Sequence, residues 1–255
     1  MTDRLDNQHI INLARNQYEQ QKRVTIPPVI VKLPSNGLIY PESSPLRSGE
    51  VQLRHMTAYD EDILTNSSYI KNQVVFDKLL ESLIVTPGVS PDDIASSDRE
   101  SLLISARILG YGSEYPVLVQ DPTSSNSIER VVDLSKLSFK PFNLIPDENG
   151  EFEYIVDNGD ILKFKYLTSR ETSNINSETS LSDITRMSIT SVNTNRDTMF
   201  ISDYVKYELV AANAKKFRNY ILENMSGVNF EVELEGENGG TFKTTFQLGL
   251  DLFWF

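Results

Sequence analysis

The apolar residues of this chain keep two different spacings, and the change falls at Gly112. Before it, Val75, Phe76, Leu79, Leu80, Leu83 and Ile84 recur every three or four positions, with Asp77, Lys78, Glu81 and Ser82 on the other side, as in a helix that buries one stripe. After it the period changes: EYPVLVQ and SIERVVDL flank the turn-rich DPTSSN, EFEYIV and ILKFKYL flank DNGD, and in the last Leu162, Phe164 and Tyr166 alternate with Lys163 and Lys165, as in a strand with one buried and one wet face. A chain that separates the two periods is expected to be α+β: a helical N-terminal lobe with short strands, β-hairpins in the middle, and a C-terminal helix plus β-hairpin.

Turn and cap signals divide the chain further. Residues 1–28 read as an N-terminal helical arm with Ile10, Ile11, Ala14 and Tyr18 on one side, which packs on its own body or reaches to a neighbour, and Pro27 and Pro28 end it. Residues 29–112 read as an α+β lobe. Its strands are VIVKL and EVQLRHM, the second placing His55 on the core face with Val51 and Leu53. Its helices carry a capping box at Thr57 to Asp60 and another at Ser97 to Glu100, the latter opening a central helix that ends at Gly110 as its cap. Residues 113–168 form the hairpin region, where DPTSSN and DNGD are the turns and Asn158 and Gly159 are expected to supply positive φ angles. Residues 169–200, rich in Ser, Thr and Asn, read as a mobile connector with SDITRMSITSV its one ordered piece. Residues 201–255 read as one helix from Ser202 to Gly227, with Val210, Ala214, Phe217 and Ile221 as its stripe, and then a hairpin that turns at 236–240.

Charge and chemistry narrow the function classes. With 24 Lys and Arg against 36 Asp and Glu, a net charge of −12 disfavours a partner whose phosphates must be neutralised, so neither nucleic acid nor a membrane surface is an expected partner. The chain has no cysteine, which excludes disulfides and thiolate metal sites and suits a reducing compartment. The residues near its start lack a signal peptide's apolar core, and no run of about eighteen apolar residues occurs, so it is expected in the cytoplasm. Its two histidines, His9 and His55, are far apart, and no phosphate loop, dinucleotide fingerprint, HExxH or GxSxG is present. PDENGE and VDNGDI lack the calcium-loop register, and acids such as Asp92 and Asp93 would act on a glycoside only across a cleft. No enzyme activity, cofactor or metal is therefore expected.

The order of these features resembles a family of tailed-phage assembly proteins, typified by the baseplate hub assembly proteins of T4-like bacteriophages. VKLPSNGLIYPESSPLRSGEVQLRHMTAYDEDIL is similar to that family's opening pattern LPS.G..Y…SGEV..R.MT..DE..L, and SSDRESLLISARILGYGSEYPV, VVDLSKL and the closing helix and hairpin follow in the same order. The resemblance implies a non-enzymatic protein that helps build, or forms part of, the central hub of a contractile tail's baseplate. It would act as an assembly factor or chaperone in the host cytoplasm, or stay in the virion, and would bind other hub or tail proteins. A cytoplasmic adaptor of unrelated function with the same architecture is the alternative. Some members carry Cys-x-x-Cys pairs in the two hairpin regions, like small zinc ribbons; here the matching turns, QDPTSSNS and EGENGG, hold none, so the hairpins are expected to be held by packing alone.

The chain ends in DLFWF. Counting by twos from Phe242 places Phe246, Leu248, Leu250, Leu252 and Trp254 on the core face of an extended last strand, and Phe253 and Phe255 on the face of Lys243, Gln247 and Asp251. Phe253 and Phe255, with Trp254 beside them and Tyr18 on the arm, are thus the candidate protein-interface residues. Removing 253–255 is expected to weaken assembly more than stability. The other reading folds these rings onto the chain's own helices.

Overall fold

A computed structural model describes residues 26–173 and 175–254, which form eight α-helices and eleven strands, the strands in small antiparallel sheets. The readings made on the N-terminal arm, including Tyr18, and on Phe255 lie outside the described residues.

The first lobe opens with β1 (Val29–Lys32) and β2 (Glu50–Leu53), paired antiparallel with Val31 opposite Val51. His55 lies past the end of β2 and is half-buried, so the alternation that placed it in the core stops short of it. Three helices follow, α1 (Ala58–Leu64), α2 (Ser67–Lys71) and α3 (Val75–Leu83). The capping box at α1 forms, with the Thr57 amide donating to Asp60 Oδ2 at 2.8 Å. α3 buries Val75, Leu79, Leu80 and Leu83, the stripe its spacing predicts.

The long helix α4 (Ser96–Tyr111) packs against β1, α3 and later elements, and Leu102 and Ala106 on it are fully enclosed. Its ends differ from the sequence reading. It starts after Ala95 with no side-chain cap, which places Ser97 inside the first turn, where its hydroxyl bonds the Ser226 hydroxyl at 3.2 Å. It runs through Gly110 and stops at Gly112, whose positive φ of 85° is one that glycine permits. Gly110 serves packing instead, since a Cβ there would lie 2.7 Å from Met56 Sδ.

β3 (Glu114–Gln120) and β4 (Ser127–Asp133) form the first hairpin, in register from Glu114 opposite Asp133 to Gln120 opposite Ser127. A short β5 (Ser138–Phe139) leads to β6 (Phe152–Ile155) and β7 (Ile161–Phe164), the second hairpin. Its DNGD turn needs one positive φ and not two: Gly159 has φ 91°, Gly159 N bonds Val156 O, and Val156 N bonds Asp160 O, both at 2.8 Å. That is a three-residue loop closed by glycine.

After α5 (Ser169–Thr172), the expected connector builds α6 (Leu181–Ser188) and β8 (Ile189–Val192), and β8 pairs with β7 to complete a three-stranded sheet. The expected single C-terminal helix is two. α7 (Thr198–Asp203), capped by Asp197, passes into a π-helical turn over Tyr204–Glu208, and α8 (Ala211–Glu223) starts afresh after an extended Leu209. The wider turn lets Tyr204, Val205 and Leu209 all be buried, and Tyr204 donates its hydroxyl to Asp160 at 2.7 Å. β9 (Val228–Asn229) then pairs with β5, and β10 (Glu231–Glu235) pairs with β11 (Thr241–Thr245).

The turns of the first and last hairpins meet, and more than packing holds them. Asp121, fully buried, accepts the Thr123 amide at 2.7 Å and the Glu237 amide at 2.8 Å, while Arg130 Nε donates to Glu235 O at 2.6 Å. A carboxylate that collects amides from both turns fixes them at short range, which apolar packing between polar turns could not do.

Candidate protein interface

The last strand stops at Thr245, so the alternation that sorted the closing aromatics does not reach them. Residues Leu250–Phe253 form a single 3-10 turn, and this turn docks against α4. Leu252 is buried, as expected. Phe253 is only 4% exposed, with its ring 5.8 Å from Phe76 on α3 and 6.3 Å, edge on, from Tyr111 on α4. Trp254 is half-buried, its ring 6.3 Å from Phe76. The chain's own helices therefore cover Phe253.

Arg107 latches this turn. Its guanidinium is buried on α4 and donates to three backbone carbonyls: Leu252 at 2.9 Å through Nε, Gly112 at 2.7 Å and Glu114 at 3.1 Å. It also sits 5.4 Å from the centre of the Tyr111 ring. Burial pulls its pKa down from the ordinary arginine value, yet a guanidinium stays charged, and the planar fork suits several carbonyls at once. Burial, followed by the nearby Asp251 carboxylate, pushes the Tyr115 hydroxyl up.

Open apolar surface lies elsewhere. The outer face of the β3–β4 hairpin carries Leu118, 73% exposed, and Val131, 59% exposed, and Pro116 pairs across from Val131 on the same face. Glu114, Glu129 and Asp133 share that face, and the hydroxyls of Ser135 and Ser113 hold Asp133 down to about 2, so this rim stays charged. A second apolar surface follows α7, where Met199, Tyr207 and Val210 are exposed around the π-helical turn. Large apolar side chains on the wet face of a sheet, ringed by charge, are the composition of a contact site. Sequence reasoning passed over Leu118 and Val131, although the runs VLV and VV carried the signal by interrupting the alternation.

Several of the carboxylates have structural partners. A cleft of mixed lining, with Asp147, Glu151, Glu153 and Lys163 beside Leu144, Ile145 and Phe152, holds a cluster of acids. There Asp147 binds Lys163 at 2.8 Å and accepts the Asn149 and Glu151 amides, and Glu151 takes Arg196 at 2.7 and 2.9 Å. Burial pushes Asp147 up, but Lys163 and those amides outweigh it and hold it below its usual value, the wrong direction for a general acid. Asp92 and Asp93 are exposed and lie beside Arg170. Among the described residues no group of three or more His, Cys, Asp or Glu could hold a metal ion, and no helix is long and apolar enough to cross a membrane.

A family model described as T4 bacteriophage base plate protein matches residues 28–254. No curated protein and no solved structure matches the chain.

Proposed function

The chain belongs to the T4 bacteriophage base plate protein family, and from that premise we propose that it is a non-enzymatic assembly protein of the baseplate's central hub. Membership itself implies association with the phage tail and contact with other tail proteins. The finer reading is that this chain holds hub or tail proteins of a contractile tail in place during assembly in the host cytoplasm, as a chaperone or as a retained subunit. The observation that carries it is the apolar, acid-rimmed outer face of β3–β4, built from Pro116, Leu118 and Val131 on a hairpin paired in register along both strands. Its non-enzymatic character is supported by the engagement of Asp147 and Glu151 in ion pairs. Trp254, anchored by its buried neighbour Phe253, supplies a second contact together with Phe255.

Co-expression with candidate hub proteins tests this. The wild-type chain is expected to co-purify with at least one of them, and Leu118→Asp combined with Val131→Asp is expected to lose that partner at least tenfold while keeping its thermal midpoint. Binding that survives the double change, or a partner outside the tail, overturns the reading. Stoichiometric chain in purified virions would identify a retained subunit and dismiss the departing chaperone.

A further inference from the structure

Among the described residues, one edge of β1 has no strand paired to it. Leu33 N bonds Gly49 O at 2.8 Å, and in an antiparallel ladder this makes Val29 and Val31 the residues whose backbone groups face β2. Ile30 and Lys32 therefore present their N–H and C=O groups to the other side. The outer edge of β2 is covered, because Val85 N donates to Gln52 O at 3.0 Å and Arg54 N to Leu83 O at 2.9 Å. The outer edge of β1 instead borders a cleft of about 240 Å³. The cleft is mainly apolar. Its facing wall is one stripe of α4, on which Ser101 and Ile104 are buried and Ser105 and Ile108 half-buried, and exposed Phe139 closes one side.

What can fill it follows from where the described chain begins. Ile26 lies three residues before Val29, which lines the cleft, and 25 residues precede it. Among these, Ile10, Ile11, Ala14 and Tyr18 recur on one side of a helical spacing. The chain between Tyr18 and Ile26 can span roughly 28 Å when extended. Nine helical residues cover about 13 Å, the same as the four residues of β1 at about 3.3 Å each. Ser105, half-buried on that stripe, leaves room for a helix to approach α4 closely. Covering an open edge with a helix is also how folded chains protect such edges from pairing with other chains. We propose that residues 10–18 of the same chain occupy this cleft, with Ile10, Ile11, Ala14 and Tyr18 against the α4 stripe and over the edge of β1. This docking does not depend on the assembly role.

The absence of cysteine makes the test direct, because an introduced pair supplies the only two thiols. In the full chain, Ser105→Cys is combined in turn with Ile10→Cys, Ala14→Cys and Tyr18→Cys, and with Asn16→Cys from the polar side as control. Mild oxidation is expected to give a fast-migrating, reductant-sensitive monomer for at least one apolar-side pair and not for the control, since a disulfide needs Cα atoms within about 7 Å. A covalent dimer would assign the cleft to a second copy's arm, equal yield from the control would mean an undocked arm, and no cross-link would mean an unoccupied cleft; each overturns the proposal. A second measurement uses Ser105→Cys alone, labelled with a bulky maleimide. Labelling is expected to be at least tenfold faster when Ile11→Asp is added, and an unchanged rate counts against docking.

Discussion

Asp60 and Asp98 are both fully buried carboxylates, and their partners set them apart. Asp60 receives Arg54 through two bonds of 2.8 Å, together with Ser82 Oγ and the Thr57 amide. Burial pushes its pKa up, but these donors, Arg54 foremost, outweigh burial and hold it below the usual value. Asp98 receives only neutral donors: the Ser35 amide at 2.9 Å, Ser35 Oγ at 2.6 Å and the Tyr40 hydroxyl at 2.8 Å. There burial wins and its pKa is raised. The linkage signs are opposite. Asp60 contributes stability that is present above the unfolded carboxylate pKa of about 3.9 and is lost as pH falls through its lower folded value. Asp98 contributes stability that is present below that value and is lost as pH rises through its higher folded value. In urea unfolding across pH, the deficit of Asp60→Asn should therefore be largest near neutrality and shrink in acid, whereas that of Asp98→Asn should be largest in acid and shrink as pH rises. Parallel profiles for the two variants would refute this assignment. The Thr57 to Asp60 box was legible because its residues are three apart, whereas Ser35 and Asp98 are 63 residues apart, and only the fold joins them.

At the scale of elements, what could be read from the chain was what local sequence determines. The β3–β4, β6–β7 and β10–β11 hairpins carry their own turns, so the turn-rich DPTSSN marked the first, and alternation with glycine placement marked the other two. β8, and the pairing of β5 with β9, use strands of two to four residues whose partners lie far along the chain, and no local pattern marks such pairings. The π-helical turn was hidden for a related reason: no local pattern marks the change of register that serves the burial of Leu209 and the bond from Tyr204 to Asp160. The contact between the two hairpin turns belongs to this class as well, since Asp121 and Glu237 are 116 residues apart. Replacing Asp121 with Ala removes the acceptor that serves both turns. Hydrogen exchange at the Thr123 and Glu237 amides should then accelerate while protection in the β6–β7–β8 sheet stays the same. A uniform loss of protection across the molecule would mean that Asp121 supports the global fold and does not act as a local clasp.

At the scale of the whole molecule, α4 is the element through which the parts communicate: it touches β1, α3, β9 and the closing 3-10 turn. The end of the chain is therefore tied to its central helix, through Arg107 to Leu252 and through Phe253 between Phe76 and Tyr111. The sequence alone sets Phe253 on a wet strand face; the strand ends at Thr245 because the closing residues bury more by turning onto α4. Its expected behaviour reverses accordingly. Phe253→Ala empties an aromatic site and should lower stability by about 3 kcal/mol. Trp254→Ala, at a half-buried ring, should lower it by roughly 1 kcal/mol and weaken partner co-purification more than that loss explains. Leu118→Asp with Val131→Asp should move binding alone, because both side chains are already in water. Urea midpoints set against co-purification yields would thus separate the three variants, with Phe253→Ala shifted mainly in stability and the hairpin pair only in yield. If Phe253→Ala kept full stability and lost its partner, the docked turn would be the contact surface itself and β3–β4 would lose its role.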